Sequence, residues 1–269
     1  MDDDGVPLED ILALRQGDPN KVDSSGYPPL SRATLFGNVN QVEALLDAGA
    51  SLNGKIPVSG HTALHLSAAK GHTEIASVLL AASLFNNRKD ISSSSAATPG
   101  EAPRSSVMQR GSSSRSLRPA VASNSGASPP PTVVDAEDNA GRRPLHLAAF
   151  YNNVQVMEVL LRTRAAVDSR DNRGCTPLQH AAEQDNAEAV ISLLKAGASP
   201  DLKDSSGYAA LHKAMLRPAG AVVEALITAG ASPGLGGERG FTPLHVACES
   251  NARGTVETLL RAGAVPGHC

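Results

Sequence analysis

Thr62-Ala63-Leu64-His65, Thr176-Pro177-Leu178 and Thr242-Pro243-Leu244-His245 are three versions of one short segment, and their spacing decides the fold. Taking the leucine as the anchor adds Leu30, Leu145 and Leu211. Successive anchors then stand 34, 81, 33, 33 and 33 residues apart. The long step is one period of 33 plus about 48 inserted residues. A second leucine follows each anchor by fifteen residues, at Leu45, Leu79, Leu160, Leu193, Leu226 and Leu259. A glycine closes four of the six units, at Gly49, Gly197, Gly230 and Gly263. Six units share one period.

Each unit reads as two helices and a turn. Thr62, Thr176 and Thr242 suit an N-cap, and a proline directly after one suits the first helical position, whose N–H has no partner in any case. Small residues behind the leucine, such as Ala148-Ala149 and Ala181-Ala182, allow close helix approach. Val156, Met157, Leu160 and Leu161 show the helical spacing of a second helix, which the glycine stops in the left-handed conformation. Asp-x-x-Gly turns at Asp138–Gly141, Asp171–Gly174 and Asp204–Gly207 lead into the next unit. A unit this small cannot bury its own apolar face, so the units must stack.

Composition agrees. The 269 residues include no Trp, three Tyr and four Phe, so the core is built from Ala and Leu on closely packed helices rather than from rings. A net charge of −3, from 24 basic and 27 acidic residues, gives no drive towards nucleic acid or an anionic membrane. Cys175, Cys248 and Cys269 make neither a disulfide framework nor a clustered zinc site, which fits a reducing compartment. The acidic start, Met1-Asp2-Asp3-Asp4, is unlike a secretory signal, and the apolar run Ile75–Phe85 is too short to span a bilayer.

The period, the Thr-Pro-Leu-His helix start, the double-leucine second helix ending in Gly-Ala and the preceding turn together resemble the ankyrin repeat family. The resemblance implies an all-α solenoid of about six helix-turn-helix units carrying β-turn fingers. Its division would be residues 1–25 as an acidic leader and half-repeat cap (Leu8, Ile11, Leu12, Leu14, Gly17), 26–85 as units one and two, 86–132 as an insertion, and 133–269 as units three to six. No polar capping unit follows Ala264, so either the sixth unit closes the array or the array belongs to a longer chain. Several units depart from the pattern: Pro28 and Ser31 replace Thr and His in the first, Arg143 replaces Thr in the third, and Gln179 replaces His in the fourth. The fifth has Ala209-Ala210 for Thr-Pro and Pro218 in place of a helix-ending glycine. A lost cap costs about 1 kcal/mol, which predicts that units one, three and five are the weaker ones.

The insertion is Ser-rich, Pro-rich and basic, a composition that cannot bury enough apolar surface to order itself. It reads either as a solvated loop or as a regulatory segment. In the second case Ser105, Ser106, Ser112, Ser113, Ser114, Ser116 and Ser128 are candidate phosphorylation sites, lying after basic residues or before proline.

No catalytic or cofactor constellation emerges. His65, His146, His212 and His245 recur at one position of the repeat, which marks them as scaffold, and the resemblance implies that they bond to neighbouring turn backbone. His245 and Cys248 are only two ligands, and Gly234-Leu235-Gly236-Gly237 lacks the lysine of a phosphate loop. No enzymatic activity, metal or cofactor is expected. The resemblance places recognition at the finger tips, at the residue after the turn glycine, and at the end of the first helix. Those positions hold Tyr27, Phe36, Arg142, Phe150, Tyr151, Asn172, Arg173, Tyr208, Arg239 and Phe241. Six of the seven aromatics fall in these slots, where rings and arginines are favoured interface anchors, although a ring beside a turn can equally pack on the adjacent finger. The expected function is binding another protein as a scaffold, adaptor or inhibitor, by a monomer in cytoplasm or nucleus, without nucleic-acid contact or membrane insertion. The alternatives are a substrate-recruiting arm of a ubiquitin-ligase, kinase or acyltransferase assembly, and a nuclear regulator of a nucleic-acid-binding protein.

Overall fold

The structure, a computed structural model, describes residues 18–93 and 133–265, apart from 216, 218, 219, 238, 239 and 251, with only the backbone over 86–93. The proposed N-terminal cap at residues 8–17, Pro218, Arg239 and the seven candidate phosphoserines lie outside the described residues.

Among the described residues there are twelve α-helices and no strand. Six are inner helices: α1 (Pro29–Leu35), α3 (Ala63–Lys70), α5 (Pro144–Phe150), α7 (Pro177–Glu183), α9 (Ala210–Ala214) and α11 (Pro243–Glu249). Six are outer helices: α2 (Val39–Asp47), α4 (Thr73–Ser93), α6 (Val154–Arg162), α8 (Ala187–Lys195), α10 (Gly220–Thr228) and α12 (Arg253–Arg261). Each inner helix packs on its own outer helix and on the next inner helix, so two helical layers run the length of the stack. The anchor leucines and their partners fifteen residues on are all buried, joined by Ala148, Ala149, Ala181, Ala182 and Ala210 in one continuous core. No helix among the described residues is long and apolar enough to cross a membrane.

The glycines that close units one, four, five and six have φ near +90°, as a left-handed C-cap requires. The two units without one solve the problem differently. In unit three Arg164 itself takes φ +64°. In unit two Ser83 stands at that position and the helix does not stop. α4 runs on to Ser93, so residues 86–93, read from composition as the start of a loop, are helical in backbone. The missing stop signal is the physical reason.

Helix capping follows the sequence expectation in position and adds a partner to it. All three threonines stand at N-caps; Thr176 Oγ1 accepts from Gln179 N–H at 3.3 Å, while Thr62 Oγ1 and Thr242 Oγ1 pair with Nδ1 of His65 (2.9 Å) and His245 (2.7 Å). At the latter two the side chain three residues on reaches back to the N-cap N–H: His65 Nδ1 to Thr62 at 3.2 Å and His245 Nδ1 to Thr242 at 3.2 Å. His146 serves Arg143 at 3.0 Å and His212 serves Ala209 at 3.2 Å in the same way. The threonine can therefore be lost while this N–H stays paired. Arg143 adds ion pairs to Asp135 and Glu137, at 3.2 and 3.1 Å, so the third unit is tied down where a weak start was expected.

Candidate functional site

The same imidazoles fasten unit to unit. With Nδ1 accepting an N–H, Nε2 must donate, and it faces only carbonyls: Arg142 O from His65 (3.0 Å), Ser169 O and Cys175 O from His146 (3.1 and 3.2 Å), and Phe241 O from His212 (3.1 Å). Gln179 reproduces the arrangement, with Oε1 accepting from Thr176 N–H and Nε2 donating to Leu202 O and Tyr208 O. Burial depresses His65 and His146 to about 4, which keeps both rings in the neutral form that these bonds need.

Three ladders hold the fingers and helix ends in register. Backbone N–H groups of Asn139, Asn172 and Ser205 donate to Ser59 O, Ala140 O and Arg173 O of the preceding finger. Asn153 Nδ2 donates to Ala68 O and Ala69 O, and Asn186 Nδ2 donates to Ala149 O and Phe150 O. At the far end Asp168 and Asp201 accept from the N–H and hydroxyl of Ser199 and Ser232. Gly141 sits at φ +72° against one of these seams, and a Cβ there would lie 2.8 Å from the backbone nitrogen of Asn172. Only glycine fits.

The turn aspartates organise the face between fingers and inner helices. One carboxylate oxygen of each accepts the N–H groups two and four residues on: Ser25 and Tyr27 for Asp23, Ala140 and Arg142 for Asp138, Arg173 and Cys175 for Asp171, Ser206 and Tyr208 for Asp204. The other oxygen takes a cation-forming side chain. In three units it comes from nine residues ahead, on the inner helix: Arg32 at 2.7 Å, His180 at 2.9 Å and Lys213 at 2.8 Å. Leu147 holds that position in unit three, and there Arg142 (2.9 Å) and His61 (3.3 Å) meet Asp138 instead. Burial opposes ionisation of Asp138, Asp171 and Asp204, but these donors win and hold all three below the usual carboxylate range, Asp171 at about 2. The sequence reading passed over His180 and Lys213. Their signal is the nine-residue offset from each turn aspartate.

A cleft of about 340 Å³ opens between units three and four. Leu147 and Phe150 of α5 and His180 of α7 line it, with Asp171, Asn172 and Arg173 from one finger and Ala140 and Arg142 from the other. The Phe150 ring meets His180 edge-on with centroids 6.1 Å apart, and Tyr151 at 5.0 Å. Four sequence-predicted contact residues, Arg142, Phe150, Asn172 and Arg173, thus surround one cavity, with Tyr151 beside it and 55% exposed. Their freedom differs. Arg142 is held by Asp138, and Asn172 Nδ2 donates to Asn139 O, whereas the exposed Arg173 guanidinium makes no hydrogen bond to the described residues.

The other predicted contacts do not converge there. Tyr27 and Phe36 lie in unit one, the former half-buried and the latter 57% exposed. Tyr208 leans on His212 (5.5 Å), packs against Gly237 of the next finger and lies beneath Lys213 Nζ, while Phe241 leans on His245 (5.6 Å). Those two rings have neighbours within the stack.

A family model described as ankyrin repeats (three copies) matches residues 7–90, 130–204 and 193–268. Among curated proteins none matches this chain. With most of its length covered, the chain belongs to the ankyrin repeat family, whose members generally act as protein–protein interaction modules.

Proposed function

We propose that this protein is a binding module, acting as scaffold, adaptor or inhibitor, and that its partner lies along the face formed by inner helices and finger tips, anchored at the cleft between units three and four. One observation supports this most. The half-buried Phe150 and the exposed Tyr151 and Arg173 stand around a cavity that the fold itself leaves open. Aromatic and arginine side chains around a concavity are what an interface anchor needs, because they bury large area with few torsions fixed. Surface complementarity suffices for this role and no covalent chemistry enters it. The predicted contacts at Tyr27, Phe36, Tyr208, Arg239 and Phe241 would extend the footprint along the array.

The test is a comparison of wild type with the double variant Phe150→Ala, Tyr151→Ala, by affinity purification from native cells with quantitative mass spectrometry. The expected result is selective loss of specific partners, with a melting temperature close to wild type. An unchanged partner set, or a large fall in melting temperature, would overturn the assignment.

A further inference from the structure

We propose that Asp171, Cys175 and His180 form a site for one divalent ion of the zinc class, which borders the cleft assigned to the partner but does not rest on that assignment. Their ligand atoms lie within 4.8 Å of one another, and all three residues are buried. Asp171 opens the finger turn, Cys175 follows its glycine, and His180 lies one turn into α7.

The repeat itself supplies the control. Units one and five place Arg32 and Lys213 against the turn carboxylate, side chains that hold their protons tightly. Unit four puts an imidazole in that register, 2.9 Å from Asp171, and an imidazole can ligate a metal. A hydrogen bond joins His180 Nε2 to Asp171 Oδ2, and the Cys175 thiol beside them donates weakly to Asp204 Oδ2. At the position of Cys175 other units carry Tyr27, Arg142, Tyr208 and Phe241. Here a small sulfur is turned inward, 3.7 Å from Asp204 Oδ2.

Thiolate, imidazole and carboxylate together select a borderline-soft ion over magnesium or calcium. The two N–H groups on Asp171 Oδ1 already fix the carboxylate as an outer shell would. Three protein ligands leave one tetrahedral position open, and Asp171 and His180 line the cleft, which gives the ion a path. On binding, the thiol proton leaves to solvent and the imidazole proton moves from Nε2 to Nδ1. The His180–Asp171 separation widens to roughly 3.3 Å, the ligand spacing of a tetrahedron with bonds of about 2 Å.

The experiment uses the full chain carrying Cys248→Ala and Cys269→Ala, so that one thiol remains. It is titrated with cobalt chloride, then with zinc chloride. One equivalent of Co²⁺ should give a thiolate-to-cobalt charge-transfer band and visible bands of tetrahedral intensity, which one equivalent of Zn²⁺ abolishes while raising the melting temperature. Cys175→Ser should lose the charge-transfer band. His180→Lys, which donates to Asp171 as Lys213 does to Asp204, should lose tetrahedral binding without losing the fold. Absence of the band in the parent, or its survival in either variant, would overturn the site.

Discussion

Replacing His65 by Gln tests the inference that a neutral imidazole both starts α3 and joins unit two to unit three. His65 is fully buried, its Nδ1 accepting from Thr62 and its Nε2 donating to Arg142 O. Protonation would give Nδ1 a hydrogen that displaces the Thr62 N–H, and Thr62 Oγ1, 2.9 Å away, would have to turn from donor to acceptor. Desolvation, aided by His61 and Lys55 and opposed by the Arg142 carbonyl and Asp138, lowers its pKa from 6.5 to about 4. Between those values the unfolded chain binds a proton that the folded chain does not, so stability falls as pH drops below the unfolded value. The slope approaches about 1.4 kcal/mol per pH unit, and integration from pH 7 to pH 5 gives a loss of about 1.5–2 kcal/mol from this residue alone. Glutamine at the equivalent position in unit four makes the same bonds without titrating. His65→Gln should therefore lie within about 1 kcal/mol of wild type at pH 7. Urea unfolding followed by circular dichroism at pH 7, 6 and 5, at constant ionic strength, should show the variant losing about 1.5–2 kcal/mol less than wild type. His61 and Asp138 are present in both chains, so their contributions largely cancel. Parallel pH profiles would refute the tautomer and the coupling together.

Arg164→Gly should stabilise the protein by about 1 kcal/mol, because Arg164 occupies φ +64° where four other units have glycine. A lower urea midpoint in the variant would contradict that reading. Asn186→Ala should cost about 1–3 kcal/mol, since its amide is the donor for the Ala149 and Phe150 carbonyls. Amide exchange should accelerate at the ends of α5 and α7 before it does in unit one; uniform acceleration would argue against a local seam.

The stack was legible in the sequence because burial repeats with the chain. Leu64, Leu145, Leu178 and Leu211 are at most 1% exposed, and their spacing alone forces equivalent environments. The insertion was legible from its serines, but its first residues were not. Eight of them continue α4, since a missing stop is a weaker mark than a present one. The threonines were read correctly as N-caps, but N-cap preference is a local rule and did not reveal their partner. Here a histidine three residues on serves the same N–H while also bonding the next unit, a dual role visible only when two repeats are laid side by side. The turn aspartates were read as turn formers, which is half of their work. Their second oxygen selects Arg32, His180 or Lys213 from another element, and no local rule connects residues nine apart across a turn and a helix start. The cleft was half legible. Arg142, Phe150, Asn172 and Arg173 were marked by position, whereas their convergence depends on how finger and helix from adjacent units meet.

The seam between units two and three shows why the array tolerates a long excursion between them. Residues 94–132 separate α4 from the short 3₁₀ turn at Val133–Asp135, yet the histidine, asparagine and finger-backbone bonds are all present across this seam. His65 reaches Arg142 O, Asn153 reaches Ala68 O and Ala69 O, Asn139 N–H reaches Ser59 O, and Lys55 Nζ reaches Glu137 O at 2.6 Å. α3 packs on α5 and α4 on α6, as at uninterrupted seams. Chain-closure entropy grows only with the logarithm of length, so going from about six to about forty residues adds about 2 kcal/mol. Two or three net hydrogen bonds of about 1 kcal/mol each offset that before any apolar burial is counted. Each unit recognises its neighbour through side chains that carry their own partners. Continuity of the stack therefore depends on those residues, and the covalent path between units can lengthen where the finger leaves the core.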